Sequence, residues 1–470
     1  MVFSHFTTYL GSRGAAAVFN LLSVAVFARL AGPETYGHYL LITASAMVVF
    51  GFAGQWACAA FFATYSEHHA DNRVASFVLL IMGMFASLGL GVAAAGLMKG
   101  MDVTFLGALI VMAAAFTLFE AAVDVARTRL EPGRAAVAML LRATATLALG
   151  TGAIAWLGSA TALALAVAAA NVMAALVCLL RFVPSLWRHA TLATALHLLR
   201  YGWPLILAFG FAALGQNIDR LLLGGWVSVR ELGPYGAISD LIKQTFFVVG
   251  SSVALAFISV AKRSAAIGDH AQAGEVLEAA FTSLIAIAAF GAGFFLCFGS
   301  LIFNFVFGPE FARFASGYFP ILILANAFFT LRAFYFGQVI YFSQSSRLEL
   351  WISLLTLLVS GGLSALLIPL LGTAGAAASL LAGQITACLG FAFAGRHSYR
   401  LPVPIGQSSA IIALVVVVLG LSVLVNRTAL SPLVAESINA ILFTASVIFA
   451  VYRFKLFGLR LESWSRLAAR

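Results

Sequence analysis

Residues Gly14–Thr64 read GAAAVFNLLSVAVFARLAGPETYGHYLLITASAMVVFGFAGQWACAAFFAT. Two apolar runs flank one short polar turn, GPETYGHY (Gly32–Tyr39), and only Arg29 and Glu34 carry a fixed charge. Each run is long enough to cross the roughly 30 Å hydrocarbon layer of a bilayer, which takes roughly 20 residues in a helix. A chain in lipid has no water to satisfy its amides, so such runs are read as helices. The pattern of apolar run, short polar turn and apolar run then repeats to the end of the chain.

The whole composition agrees. The chain has 470 residues, 62% of them apolar and 9% charged, and a mean hydropathy of +1.03. An ordinary soluble domain carries roughly 25% charged residues. A 9% share cannot clothe a water-facing surface of this size, so lipid is the expected solvent. The first run begins near Gly14, and no mature soluble domain follows it, so it is read as a span and not as a secretory signal. The spans fall at about 14–31, 38–64, 74–98, 103–125, 135–157, 160–180, 202–224, 235–260, 281–307, 318–342, 348–371, 373–395, 408–425 and 437–454. The expected fold is all-α and polytopic, with about fourteen transmembrane helices and only short connectors.

Charge orients the map. Of the 27 Lys and Arg residues, Arg142, Arg220, Lys243 and Arg332 fall within spans, and Arg29, Lys99, Arg230, Arg313 and Arg427 fall on one side. The remaining eighteen fall on the side of the two termini, a positive-inside bias that makes both termini cytoplasmic. The net charge of +10 is spread over many loops with no basic domain, which argues against nucleic acid as a partner. Cys58, Cys178, Cys297 and Cys388 lie singly in apolar runs and read as packing residues, with no disulfide framework, metal site or cofactor. Two connectors, 181–200 and 262–280, look helical and amphipathic. The first suits a helix lying in the interface or a plain linker. Neither could house an enzyme.

The chain also repeats. Tyr36-Gly37 and Tyr235-Gly236 are 199 residues apart, each opens a span, and at the same offset Asn20 matches Asp219. Arg134 and Arg347 begin spans five and eleven, and Gly158 and Gly372 stand in the turns that follow. Six spans restore the original direction, so the halves are expected to be related by an axis along the membrane normal, a transporter architecture. This divides the chain into an N-terminal six-helix lobe (1–190), a pseudo-symmetric C-terminal six-helix lobe (191–395), and two appended helices with a basic tail (396–470).

Four stretches carry a family resemblance across nearly the whole chain, in order. They are LAGPETYGHYLLI (Leu30–Ile42), QNIDRLLLGGWVSVRELGPYG (Gln216–Gly236), VFGPEFARFA (Val306–Ala315) and IPLLGTAGAAASL (Ile368–Leu380). They resemble the polysaccharide-transporter branch of the MATE-like flippases in the MOP superfamily, which includes the Wzx-type O-antigen flippases. The resemblance implies a V-shaped central cavity and alternating access. It implies transport of polyprenyl-diphosphate-linked oligosaccharide from the cytoplasmic to the periplasmic leaflet of a bacterial inner membrane. Implied partners are that lipid-linked oligosaccharide and membrane lipids, with polysaccharide polymerase or export proteins as further candidates.

Ionisable groups within spans cost roughly 2.5–3.5 kcal/mol each and should face a cavity or a partner. Arg332, Arg142, Arg220 and Lys243 are the candidate diphosphate ligands, because a guanidinium fork matches phosphate oxygens and stays charged. Structural readings stand beside these: Asp240 and Lys243 at i,i+3 as a neutralised pair, Arg220 and Arg142 reaching the interfaces, and Glu120 and Asp124 pairing with Arg127. Asp219 is the coupling candidate. Asn20, Gln55, Gln216, Asn217, Asn326, Tyr335 and Gln338 are the sugar-contact candidates. A cation-coupled multidrug exporter of the same fold is the alternative function, but it would favour a central acid where this chain has Arg332. A membrane glycosyltransferase or polymerase would need a larger outer loop than any here, so the chain is read as a non-enzyme.

Overall fold

The computed structural model describes residues 2–64, 70–129, 131–180, 190–266, 268–315, 317–339, 342, 346–396, 399–428 and 431–456. Every regular element among them is helical. Helix α1 (Val2–Phe50) passes through a π-turn (Gly51–Gln55) into α2 (Trp56–Thr64). There follow α3 (Ala70–Met98), α4 (Val103–Thr128), α5 (Pro132–Leu157), α6 (Ala160–Leu179), α7 (Leu192–Trp226), α8 (Val229–Ala266) and α9 (His270–Phe307). A short α10 (Pro309–Ala315) leads to α11 (Phe319–Phe334), α12 (Ser346–Leu371), α13 (Thr373–Gly395), α14 (Ile405–Asn426) and α15 (Pro432–Arg453).

Thirteen helices among the described residues are long and apolar enough to cross a membrane, and the first, Gly14–Phe61, is 48 residues long. That is more than twice the roughly 20 residues one crossing needs. Gly32 breaks it with φ 70° and ψ 171°, a conformation open to glycine, and Pro33 starts the next helical run. Counting its two arms separately gives the fourteen spans expected. Lipid is the solvent that leaves Trp156 and Phe305 at 89% and 80% exposure.

Two expectations about connectors change. Residues 181–189 lie outside the described residues, but Leu192–Arg200 forms the first turns of α7, capped by the Thr191 side chain. The 262–280 connector is likewise shared between the end of α8 and the start of α9, with Gly268 (φ 83°) turning the chain between them. In both places the spanning helix extends beyond the apolar run, because propagation of an existing helix is easier than nucleation of a new one.

Contacts gather the helices into two units. One comprises Met1–Asp240, Phe307–Ala315 and Ser353–Ser379. Its core stacks Phe61 on Phe77 at 4.3 Å and buries Trp56, with the bare Gly202 leaving room for the indole. Contacts of Gly51 with Ala213, Phe52 with Gly210 and Trp56 with Gly202 run antiparallel along the π-turn and α7. The second unit comprises Leu241–Val306, Ser316–Ile352 and Leu380–Arg470. Its core is aromatic, around Phe281, Phe334 and Tyr335.

Within the first unit the repeated motifs meet. A side chain on Gly37 would lie 1.9 Å from the Val229 carbonyl oxygen, and one on Gly233 would lie 2.0 Å from that of Pro33. The backbones of the two motifs therefore touch directly, which only glycine permits. The turns at Gly158 and Gly372 also share one geometry. Both have positive φ (59° and 56°), and each donates its N–H to the carbonyl four residues back, Ile154 or Ile368.

Candidate functional site

The embedded charges fall into three settings. Arg220 and Asp240 lie on the consecutive helices α7 and α8 and form a two-pronged pair: Nη1 donates to Oδ2 at 3.2 Å, and Nη2 donates to Oδ1. The Arg220 side chain is 12% exposed. The structure thus corrects one expectation: Arg220 is held by Asp240 of the neighbouring helix and does not reach out toward the interface. A helix hairpin brings residues 20 apart to the same level, which i,i+3 reasoning on a single helix cannot reveal. One residue before Arg220, the buried Asp219 accepts a 2.6 Å hydrogen bond from the Tyr235 hydroxyl. The coupling candidate is therefore held by the tyrosine of the second repeat motif.

A second setting is on α4 and α5. Arg127 bonds Asp124 at 3.1 Å, as expected from their spacing. Arg142 lies against a ring of the neighbouring helix: its guanidinium carbon sits 4.5 Å from the centroid of Phe119, a cation–π geometry.

The third setting is on α11. Arg332 is in its last turn, and the α-helix ends at Tyr335 before a 3-10 turn at Phe336–Gln338. The α-helix therefore breaks three residues after Arg332, inside the run that the sequence reads as one span, and Val339 is helical again. The open carbonyls of that helix end favour a cation there. The Arg332 side chain is 16% exposed and meets Glu349 of α12 at 3.9 Å, an ion pair outside hydrogen-bond range. The Lys243 ammonium lies 5.4 Å from the centroid of Phe329. Phe329 and Arg332 are i,i+3, on one face of α11. Two embedded cations thus lie along one helix face, with the Glu349 carboxylate beside Arg332.

The sugar-contact candidates fare unevenly. Asn326 and Tyr335 are buried, and their donors are taken: Asn326 Nδ2 by the Leu322 carbonyl at 2.8 Å, and the Tyr335 hydroxyl by the Pro402 carbonyl. Asn217 and Gln338 bond the Ala213 and Ala333 carbonyls of their own segments. Asn20, Gln55 and Gln216 are half-buried. The antiparallel packing sets Gln55 level with the Gly202 end of α7, about 20 Å from Gln216 along its axis. Glu349 was missed by sequence reading, because it stands beside Arg347 in the first turn of its helix and looks like an interface residue. Its signal was available: an acid at a span end, with a lone arginine on the preceding helix. Three cysteines are buried and Cys297 is half-buried, and none forms a disulfide.

A family model described as "Polysaccharide biosynthesis protein" matches residues 26–316. No curated protein matches the chain in sequence. Among solved structures, the fold is similar to the lipid II flippase MurJ in an inward closed conformation, with a TM-score of 0.74 and 12% identity over 95% of this chain and 98% of that one. It is also similar to a multidrug resistance MATE family transporter of the MOP superfamily in an inward-facing conformation (TM-score 0.60, 15% identity, 84% of this chain and 95% of that one). A MOP superfamily transporter from Pyrococcus furiosus is similar as well, with a TM-score of 0.56 and 16% identity over 86% and 94% of the two chains. At these identities the likeness is one of fold.

Proposed function

The chain belongs to the polysaccharide biosynthesis protein family, and on that premise we propose that it is an alternating-access flippase for polyprenyl-diphosphate-linked oligosaccharide. In this reading it carries a polysaccharide or O-antigen repeat unit from the cytoplasmic to the periplasmic leaflet of the inner membrane, with both termini cytoplasmic. The pseudo-symmetric lobes 1–190 and 191–395 supply the two moving parts, and 396–470 is appended to them.

The observation that carries the reading is the convergence of Lys243 and Arg332 on the Phe329 face of α11, inside a membrane span. A diphosphate crossing roughly 30 Å of hydrocarbon must exchange its water for fixed donors. Lys243 and Arg332 supply fixed positive donors for it, with Glu349 beside Arg332. Glu349 is then the resident counter-ion: at 3.9 Å it balances Arg332 between cycles without occupying the donor fork, and the phosphate replaces it. Arg142 and Arg220 are retained as lesser candidates, since one is stacked on Phe119 and the other is taken by Asp240. Asn20, Gln55 and Gln216 are the sugar contacts kept. The polyprenyl chain stays in lipid.

The test is mass spectrometry of lipid retained by gently purified full-length protein. A polyprenyl-diphosphate sugar, lost on Arg332→Ala, supports the flippase. Repeated absence of such a lipid together with saturable binding of cationic drugs would establish the exporter instead.

A further inference from the structure

Helix α13 ends at Gly395, and the connector to α14 carries Arg396, Tyr399 and Arg400 on the side of the membrane that holds most of the chain's cations. This connector is built into the protein. The Tyr399 N–H donates to the Gly395 carbonyl at 2.9 Å, and the Tyr399 ring stacks on Phe342 with centroids 4.6 Å apart. Three residues on, Pro402 accepts the Tyr335 hydroxyl. Between the connector and the helices lies a cavity of about 180 Å³. Its floor is Phe336, Val339 and Phe391, and Arg396, Tyr399 and Arg400 line it as well. Val339 and Phe391 are buried, whereas both arginines are exposed. Neither arginine has a carboxylate partner among the described residues.

The open carbonyls at the end of α13 favour a cation nearby, but they do not call for an apolar cavity lined by two of them. A ligand with an anionic end and an apolar end needs both parts. We propose that this cavity binds lipid-borne phosphate, with an anionic phospholipid of the surrounding leaflet as its resident ligand. The two guanidiniums take the phosphate, as basic pockets between membrane helices do for anionic headgroups. The aromatic floor takes the glycerol carbons and first methylenes. Burial raises the Tyr399 phenol above its ordinary pKa, so its hydroxyl stays protonated as a donor. The volume equals about six waters at ~30 Å³ each, which admits a phosphodiester and glycerol but not a repeat-unit oligosaccharide. The inference does not depend on the transport reading, because it concerns binding outside the α11 site.

The test is native mass spectrometry of the full-length protein titrated with phosphatidylglycerol, phosphatidylcholine or undecaprenyl diphosphate. Phosphatidylglycerol should bind more tightly than phosphatidylcholine. The double variant Arg396→Gln/Arg400→Gln should lose about thirty-fold in phosphatidylglycerol affinity, at roughly 1 kcal/mol per basic residue and 1.4 kcal/mol per decade. Arg396→Lys/Arg400→Lys keeps the charge without the fork and should lose less. Arg453→Gln, on the same side but outside the cavity, should change nothing. Equal binding of the zwitterionic lipid, an unaffected double variant, or an equal loss in Arg453→Gln overturns the site. Undecaprenyl diphosphate binding that needs Arg396 and Arg400, without any preference for phosphatidylglycerol, overturns the phospholipid as its ligand.

Discussion

Replacing Arg332 separates a phosphate ligand from a structural ion pair. At 3.9 Å from Glu349 and an effective dielectric of about 20, the gross attraction is about 4 kcal/mol, much of it offset by desolvation of two largely buried groups. Losing the arginine removes this attraction from Glu349, so Arg332→Ala should lower the unfolding midpoint. The second change Glu349→Gln should restore it. Transport should respond differently. A charge-assisted hydrogen bond contributes about 1.5–3 kcal/mol, so loss of the fork should slow flipping by about tenfold to a hundredfold or more. Adding Glu349→Gln should not restore flipping, because the phosphate has still lost its donor. Arg332→Lys should retain part of the activity, and Arg332→Glu should fall below Ala. The assay is accumulation of lipid-linked oligosaccharide in a strain lacking its native flippase, normalised to protein abundance. Full transport by Arg332→Ala at normal abundance refutes the phosphate role. Recovery of transport in Arg332→Ala/Glu349→Gln shows that the arginine serves only to neutralise Glu349.

Three further outcomes follow from particular residues. Asp219→Asn should reduce transport while leaving bound lipid-linked oligosaccharide intact on mass spectrometry, and Tyr235→Phe should give a smaller loss because it removes the 2.6 Å hydrogen bond but keeps the carboxylate; normal transport by Asp219→Asn across pH and sodium removes the coupling role. Gly37→Ala places a methyl 1.9 Å from the Val229 carbonyl and should lower the unfolding midpoint by the equivalent of about 1–3 kcal/mol or more, whereas Gly107→Ala, with open space around it, should not. In intact cells, cysteines at positions 73 and 400 should be shielded from impermeant thiol reagents and those at 34 and 101 should label; the buried or half-buried native cysteines keep the background low.

What was legible in the sequence is what depends on one helix at a time. The apolar runs determined the fourteen crossings, because lipid selects length and polarity residue by residue. Gly32-Pro33, Gly158 and Gly372 marked turns where glycine's backbone freedom is needed. The Asp124–Arg127 pair was readable because i,i+3 geometry is local. The tertiary structure decided every contact between helices. It gave Asp240 to Arg220, Asp219 to Tyr235 and Glu349 to Arg332, and it filled the donors of Asn326 and Tyr335. Sequence spacing does not encode the rotation of one helix about its axis against another, and that rotation chooses which charged side chains meet. It also broke the α-helix at Tyr335, three residues after Arg332, while the apolar run continues. Hydropathy sees only the run, whereas backbone hydrogen bonding sets where the helix stops.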